Sequence, residues 1–117
     1  MILKNLVDSQ DFTINEYYIC LGIEFSEYHK NTLVSVRRDS DGTPVQMPLS
    51  DFKIIEHDIP LGWSISFFDG GFTRVQPTIF FGNFWDLYYE GDSHSEKKFE
   101  EYYEILCNLF NIKNKFK

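Results

Sequence analysis

The chain has 117 residues, 18% of them aromatic, and a formal net charge of -7. That length fits one domain spanning residues 1–117, and twelve Phe, seven Tyr and two Trp can fill its core without a metal or a disulfide, since each aromatic buries on the order of 150–250 Å². An acidic surface repels nucleic-acid phosphates and speeds encounter with a basic protein, so the balance speaks against nucleic acid and for a basic partner.

Met1 to Val7 is short and apolar-rich and reads as an edge strand, followed by a polar loop over residues 8–15. The N-terminus has no basic segment leading into a long apolar run, so no signal peptide is expected. Nor does any apolar run reach the roughly 18 residues a membrane span requires, and the cytoplasm is the expected compartment. From Glu16 to Phe25 the residues alternate, with Tyr17, Ile19, Leu21, Ile23 and Phe25 on one face and Tyr18, Cys20, Gly22 and Glu24 on the other. Period two predicts a single strand. Residues 26–31 make a polar turn. Thr32 to Arg38 is a strand with Val34 and Val36 on one face. Asp39 to Pro44 is a turn punctuated by Asp-Gly and Pro.

Phe52 to His57 predicts another strand, with Phe52 and Ile54 facing one way and Ile55 the other. Pro60 and Gly62 mark a turn, after which Trp63, Ile65 and Phe67 share a strand face. Asp69, Gly70 and Gly71 form a hairpin turn, because glycine tolerates the positive φ that tight turns need. Phe72 to Gln76 returns as the partner strand and Pro77 ends it. The period then changes. Phe81, Phe84, Trp85 and Tyr88 fall at helical spacing. Glu90 to Asp92 breaks the pattern, and Ser93 with Glu96 reads as a capping box opening a second helix. Its buried stripe is Phe99, Tyr102, Tyr103, Leu106 and Phe110, and Lys113, Lys115 and Lys117 complement the C-terminal end of its dipole. No internal repeat, low-complexity segment or linker is visible.

Candidate chemistry is sparse. Cys20 and Cys107 are far apart and belong to no Cys-x-x-Cys or Cys/His cluster, so both read as buried free thiols. His29 and His94 lie in polar turns and His57 ends a strand. None has metal-ligand spacing, and an acid–base role would need a positioned partner. Asp39 and Asp41 resemble the start of a calcium loop, but Leu49 and Ser50 stand where its bidentate Glu belongs. Gly70 and Gly71 lack the Gly-Lys-Ser/Thr of a phosphate loop, and no Gly-x-Ser-x-Gly elbow occurs. No catalytic residue, cofactor or metal ligand is therefore assigned. The acidic residues form two groups. Glu24, Glu27, Asp39, Asp41 and Asp51 fall in the strand half; Glu90, Asp92, Glu96, Glu100, Glu101 and Glu104 fall near the second helix, where Lys97 can pair with Glu101. Solubility accounts for such acids, and so does recognition of a basic protein. Phe68 and Tyr18 point away from the face of Trp63 and Tyr17, and Phe72 sits beside the Gly-Gly turn. These aromatics cover a second core layer or anchor a partner.

From Tyr18 onward the chain resembles a group of small bacterial proteins encoded beside toxin genes. The resembling segments are a hydrophobic-Gly-Ile strand end at Cys20-Leu21-Gly22-Ile23, a strand over Ser50 to Glu56, an Ile-Pro-x-x-Trp turn from Ile59 to Trp63, and a helical end from Tyr89 through Phe99 and Ile105. The group is similar to immunity proteins of contact-dependent growth inhibition and related polymorphic toxin systems. The resemblance implies cytoplasmic neutralisation of a cognate toxin by tight binding and carries no catalytic residue across.

The expected fold is α+β: a bent antiparallel sheet of about five or six strands followed by two C-terminal helices packed on it. The expected function is binding and steric occlusion of a toxin, with carboxylates imitating phosphate charge where the target is a nuclease. The partner-binding residues are Glu24, Glu27, Asp39, Asp41 and Phe72, and the helix acids from Glu96 to Glu104 are the competing site. The alternative is a small enzyme or ligand-binding domain with an aromatic pocket walled by Trp63, Phe67, Trp85 and Tyr88.

Overall fold

The computed structural model describes residues 1–28 and 30–117; the expectation for His29 lies outside them. Strands come first and helices last, so the fold is α+β. The chain divides into two compact units, Met1–Pro77 and Thr78–Lys117.

The first unit holds two antiparallel sheets rather than one. Strands β1 (Ile2–Asn5), β2 (Tyr17–Ile19) and β6 (Phe52–Glu56) form a sheet in the order β2-β1-β6. Strands β3 (Gly22–Ser26), β4 (Asn31–Arg37), β5 (Pro44–Pro48), β7 (Trp63–Phe68) and β8 (Phe72–Pro77) form the main sheet in the order β5-β4-β3-β8-β7. The single strand expected over residues 16–25 is two strands in different sheets. The switch occupies two residues: the Cys20 amide donates to the Met1 carbonyl at 3.0 Å and the Leu21 amide to the Ser35 carbonyl at 2.8 Å. Unbroken alternation hides this break, because every residue from Tyr18 to Gly22 is buried.

Two further expectations change. The N-terminal strand is the centre of its sheet, not an edge, and Leu3 within it is fully buried. The segment after the Asp-Gly turn, in which the sequence suggests no element, is β5. Prolines 44 and 48 bound it, and proline, which cannot donate to a ladder, is tolerated there because β5 is an edge strand.

The two sheets share a core of Met1, Leu3, Tyr18 and Cys20 from the first, Val34 and Val36 from the second, Phe52, and Phe12 from the intervening loop. Phe12, Tyr18 and Phe52 meet edge to face, with Phe12 5.1 Å from Tyr18 and 6.1 Å from Phe52. The orientation of residues 17 and 18 is the reverse of the expected one, for Tyr17 is half exposed and Tyr18 is buried. Both cysteines are free and buried.

In the second unit, α1 (Phe84–Tyr89) and α2 (Ser93–Phe110) follow a 3-10 turn at Thr78–Phe80. Phe80, rather than Phe81, is the fully buried ring; it stacks 5.9 Å from Phe99 and lies 4.8 Å from both Phe84 and Trp85. Such pairs contribute about 0.5–1.5 kcal/mol each beyond their area burial. The stripe on α2 is buried at Phe99, Tyr103 and Leu106, joined by Cys107. The helix cap is shifted by one residue. Asp92, not Ser93, is the N-cap, and its carboxylate accepts from the Ser95 amide at 2.9 Å and the Ser95 hydroxyl at 2.8 Å. His94 accordingly lies in the first turn of α2 rather than in a loop.

Candidate partner-binding surface

The pairing of β3 with β8 builds the surface. Glu24 lies opposite Arg74 and Ser26 opposite Phe72, and β7 adds Phe68 opposite Phe72. Strand geometry puts residues of one parity on one face, so Glu24, Phe72, Arg74, Phe68 and Gln46 share the face turned away from Val34 and Val36. They line a shallow open groove of about 290 Å³. The Arg74 guanidinium meets the Glu24 carboxylate at 2.5 Å, with the Arg74 Nε at 3.2 Å from the same oxygen. It also lies 5.6 Å from the centre of the Phe68 ring, within cation–π range. The pair is partly withdrawn from water, with side-chain exposures of 32% for Arg74 and 13% for Glu24.

Glu27 joins this end of the sheet. Its amide donates to the Gly71 carbonyl at 3.0 Å, tying the β3–β4 turn to the β7–β8 turn. Gly70 and Gly71 have φ of +90° and +78°, which that turn requires and which side-chain-bearing residues resist. A Cβ on Gly71 would stand 2.7 Å from the Tyr28 ring. Glu24, Glu27 and Phe72, three of the expected partner-binding residues, thus come together.

Asp39 and Asp41 lie beyond the other end of β4, whose seven residues span about 20 Å. Both are held by the protein's own groups. The Asp39 carboxylate accepts from the Thr13 amide at 3.1 Å, the Thr13 hydroxyl at 2.8 Å and the Tyr18 hydroxyl at 2.8 Å. Its backbone amide donates to the Asp11 carbonyl at 2.8 Å. Asp39 is therefore a clamp between the 8–15 loop and the β4–β5 turn. Burial, helped by the neighbouring Asp39 carboxylate, pushes the Tyr18 hydroxyl up to about 12. Asp41 is bound in a fork by Arg38, with both contacts at 2.7 Å, and accepts from the Thr43 amide at 2.9 Å. The guanidinium hydrogen bonds first, and the amide second, hold its carboxyl well below the usual carboxylate range.

On α2, Glu96, Glu100 and Glu101 are exposed. Glu104 is engaged, accepting from the Asn114 amide at 2.7 Å with Lys117 at 3.5 Å; the Asn114 bond chiefly lowers its pKa. The residues of the aromatic-pocket alternative fall in separate units. Trp63 is half-buried against the first unit's core and Phe67 is 81% exposed, while Trp85 and Tyr88 pack on Phe99 within the second. Among the described residues no group of three or more His, Cys, Asp or Glu is arranged to hold a metal, and no helix is long and apolar enough to cross a membrane.

Two residues of the groove are additions to those expected from the sequence. Arg74 follows Phe72 by two positions, so strand parity alone places it on the same face. Gln46 carries no such signal, because its strand is flanked by prolines and has no strong alternation.

Comparison of the chain with protein-family models, curated proteins and solved structures finds no match.

Proposed function

We propose that this protein is an immunity protein that binds a cognate bacterial toxin and occludes the toxin's active site or partner-binding surface. The observation that carries the reading is the meeting of Glu24, Phe72 and Arg74 at one open groove, with Glu27 tied beside it to the Gly71 carbonyl. A half-buried aromatic beside a partly desolvated ion pair is the composition of an interface hot spot, where truncation slows or abolishes lasting association. Small-molecule sites are usually enclosed and run from about 300 Å³ upward. This groove is at the bottom of that range and open, and suits one side chain of a protein partner. A side chain entering it meets the Phe72 and Phe68 rings and the Glu24–Arg74 ion pair together. The net charge of -7 speeds the approach of such a partner. Where the toxin is a nuclease, the carboxylates stand in for substrate phosphates.

The experiment is co-expression with the C-terminal domain of the toxin encoded immediately upstream. Rescue of growth and co-purification of the two chains is the expected outcome. A second arm exchanges the ion pair in a Glu24→Arg, Arg74→Glu double variant, which keeps the pair but inverts its polarity. Loss of co-purification with unchanged folding assigns the groove. Full binding by that variant, with loss on reversing Glu100 and Glu104, moves the interface to α2. Failure of the wild type to rescue or bind rejects the immunity reading.

A further inference from the structure

We infer that the chain forms a two-fold dimer by antiparallel pairing of β7 with β7 of a second copy, extending the five-stranded sheet into one of ten strands. The inference concerns self-association and does not depend on the toxin reading.

The two edges of the main sheet are unlike. Edge strand β5 is bounded by Pro44 and Pro48, an arrangement that blunts pairing. Edge strand β7 spans six residues with no proline and no charged side chain. Those are the usual devices by which proteins keep a sheet edge from recruiting another strand. Their absence leaves β7 suited to receive one.

The order of residues in β7 identifies the recruit. Trp63, Ser64, Ile65, Ser66 and Phe67 read almost the same in both directions about Ile65. A two-fold axis through Ile65 sets Ile65 against its own copy, Trp63 against the copy's Phe67, and Ser64 against the copy's Ser66. Each face then matches itself, aromatic with aromatic on one side and hydroxyl with hydroxyl on the other, and both kinds of cross-strand pair are favourable. Isologous contacts of this kind close on themselves and stop at a dimer.

Exposure agrees. Ile65 is 60% and Phe67 81% exposed, although strand parity puts both on the face that carries the core at Val34 and Val36. Along the sheet Phe67 lies opposite Thr73, which lies opposite the 44%-exposed Phe25. The apolar strip thus runs inward from the edge, and a dimer doubles it. The self-matching residue order of β7, rather than charge, favours a second copy over a basic protein at this edge. Two copies of an acidic chain do repel, and salt screens that repulsion, so self-association should tighten as salt rises.

Sedimentation of the full chain from about 1 to 100 µM tests this, since a dimer's population must rise with concentration. The expected result is a reversible monomer–dimer equilibrium that is stronger in high salt. Ile65→Lys sets two like charges opposite each other at the axis and should weaken the dimer about tenfold or more. Ile65→Cys supplies a reading that survives any folding defect of the lysine variant. Residue 65 meets its own copy at the axis, so diamide, a two-electron thiol oxidant, should take up the two thiol hydrogens and join the chains through a disulfide between the two introduced sulfurs. Gln46→Cys on the opposite edge should remain uncoupled. A wild type that stays monomeric throughout overturns the proposal. So does a dimer that persists in Ile65→Lys, or coupling of the Gln46→Cys variant without coupling of the Ile65→Cys variant.

Discussion

The Tyr18 hydroxyl, carried by a core ring, donates to the Asp39 carboxylate at 2.8 Å, and Asp39 belongs to a surface turn 21 residues further along. The same hydroxyl accepts from the Thr13 amide at 2.8 Å, so the interior of the first unit is bonded to its rim through one core side chain. Tyr18→Phe removes both bonds while leaving Thr13 to serve Asp39, and should destabilise the protein by about 1–2 kcal/mol. Asp39→Lys removes the acceptor for three donors and should destabilise more than Asp41→Lys, whose partners are exposed. Urea midpoints at constant m-value measure both effects. A Tyr18→Phe variant as stable as the wild type removes the clamp from the account.

The stability profile against pH should fall at both ends. Asp92 and Glu104 titrate below their ordinary values in the folded chain, chiefly through hydrogen bonds from Ser95 and Asn114. The folded state therefore favours their ionised forms, and their contribution is lost on acidification from about pH 5 downward. Cys20 and Tyr18 behave oppositely, raised by burial to about 11 and about 12 from 9.0 and 10.0. Folding holds their protons, so stability is full below about pH 9 and declines as pH rises through both values. Tyr18→Phe should flatten the alkaline limb. Thermal midpoints across pH check the profile, and a limb unchanged in that variant refutes the assignment to Tyr18.

Asp92 carries the cap of α2, so Asp92→Ala should lower the thermal midpoint and the helical signal, while Ser93→Ala should leave both near wild type. Equal effects of the two substitutions would return the cap to Ser93.

Gly71→Ala should cost more than Gly62→Ala. Both positions have positive φ, which costs a side-chain-bearing residue about 1–2 kcal/mol. A Cβ at Gly62 meets nothing within 4 Å, whereas at Gly71 it meets the Tyr28 ring at 2.7 Å. Adding Tyr28→Ala should recover the steric part and leave the backbone part. Chemical denaturation of the three variants and the double variant separates them.

Local chemistry makes much of this fold legible. Asp69 to Gly71 announces its hairpin, Phe52 and Ile54 announce a buried strand face, and Phe99, Tyr103 and Leu106 announce the stripe of α2. What local chemistry hides is pairing. Alternation through Tyr17 to Phe25 has no mark where the chain changes sheets, because every residue from Tyr18 to Gly22, on either side of the change, is buried. β5 is hidden because its prolines look like turn residues until a neighbouring β4 makes them an edge. In the candidate surface, Glu24, Glu27 and Phe72 are legible as acids and an aromatic near turns. That Asp39 is occupied by Tyr18 and Thr13 follows only from the folded positions of three separate segments.

The two-residue passage at Cys20 and Leu21 bears on how the first unit opens. One amide is fastened to the smaller sheet through Met1 and the next to the larger through Ser35. Fraying that frees either sheet must drag the shared segment out of the other. The amides of β1 and of β4 should consequently exchange with deuterium through one common opening, with equal free energies and equal denaturant slopes. Strands drawn as two layers would then constitute a single cooperative element, hinged nowhere.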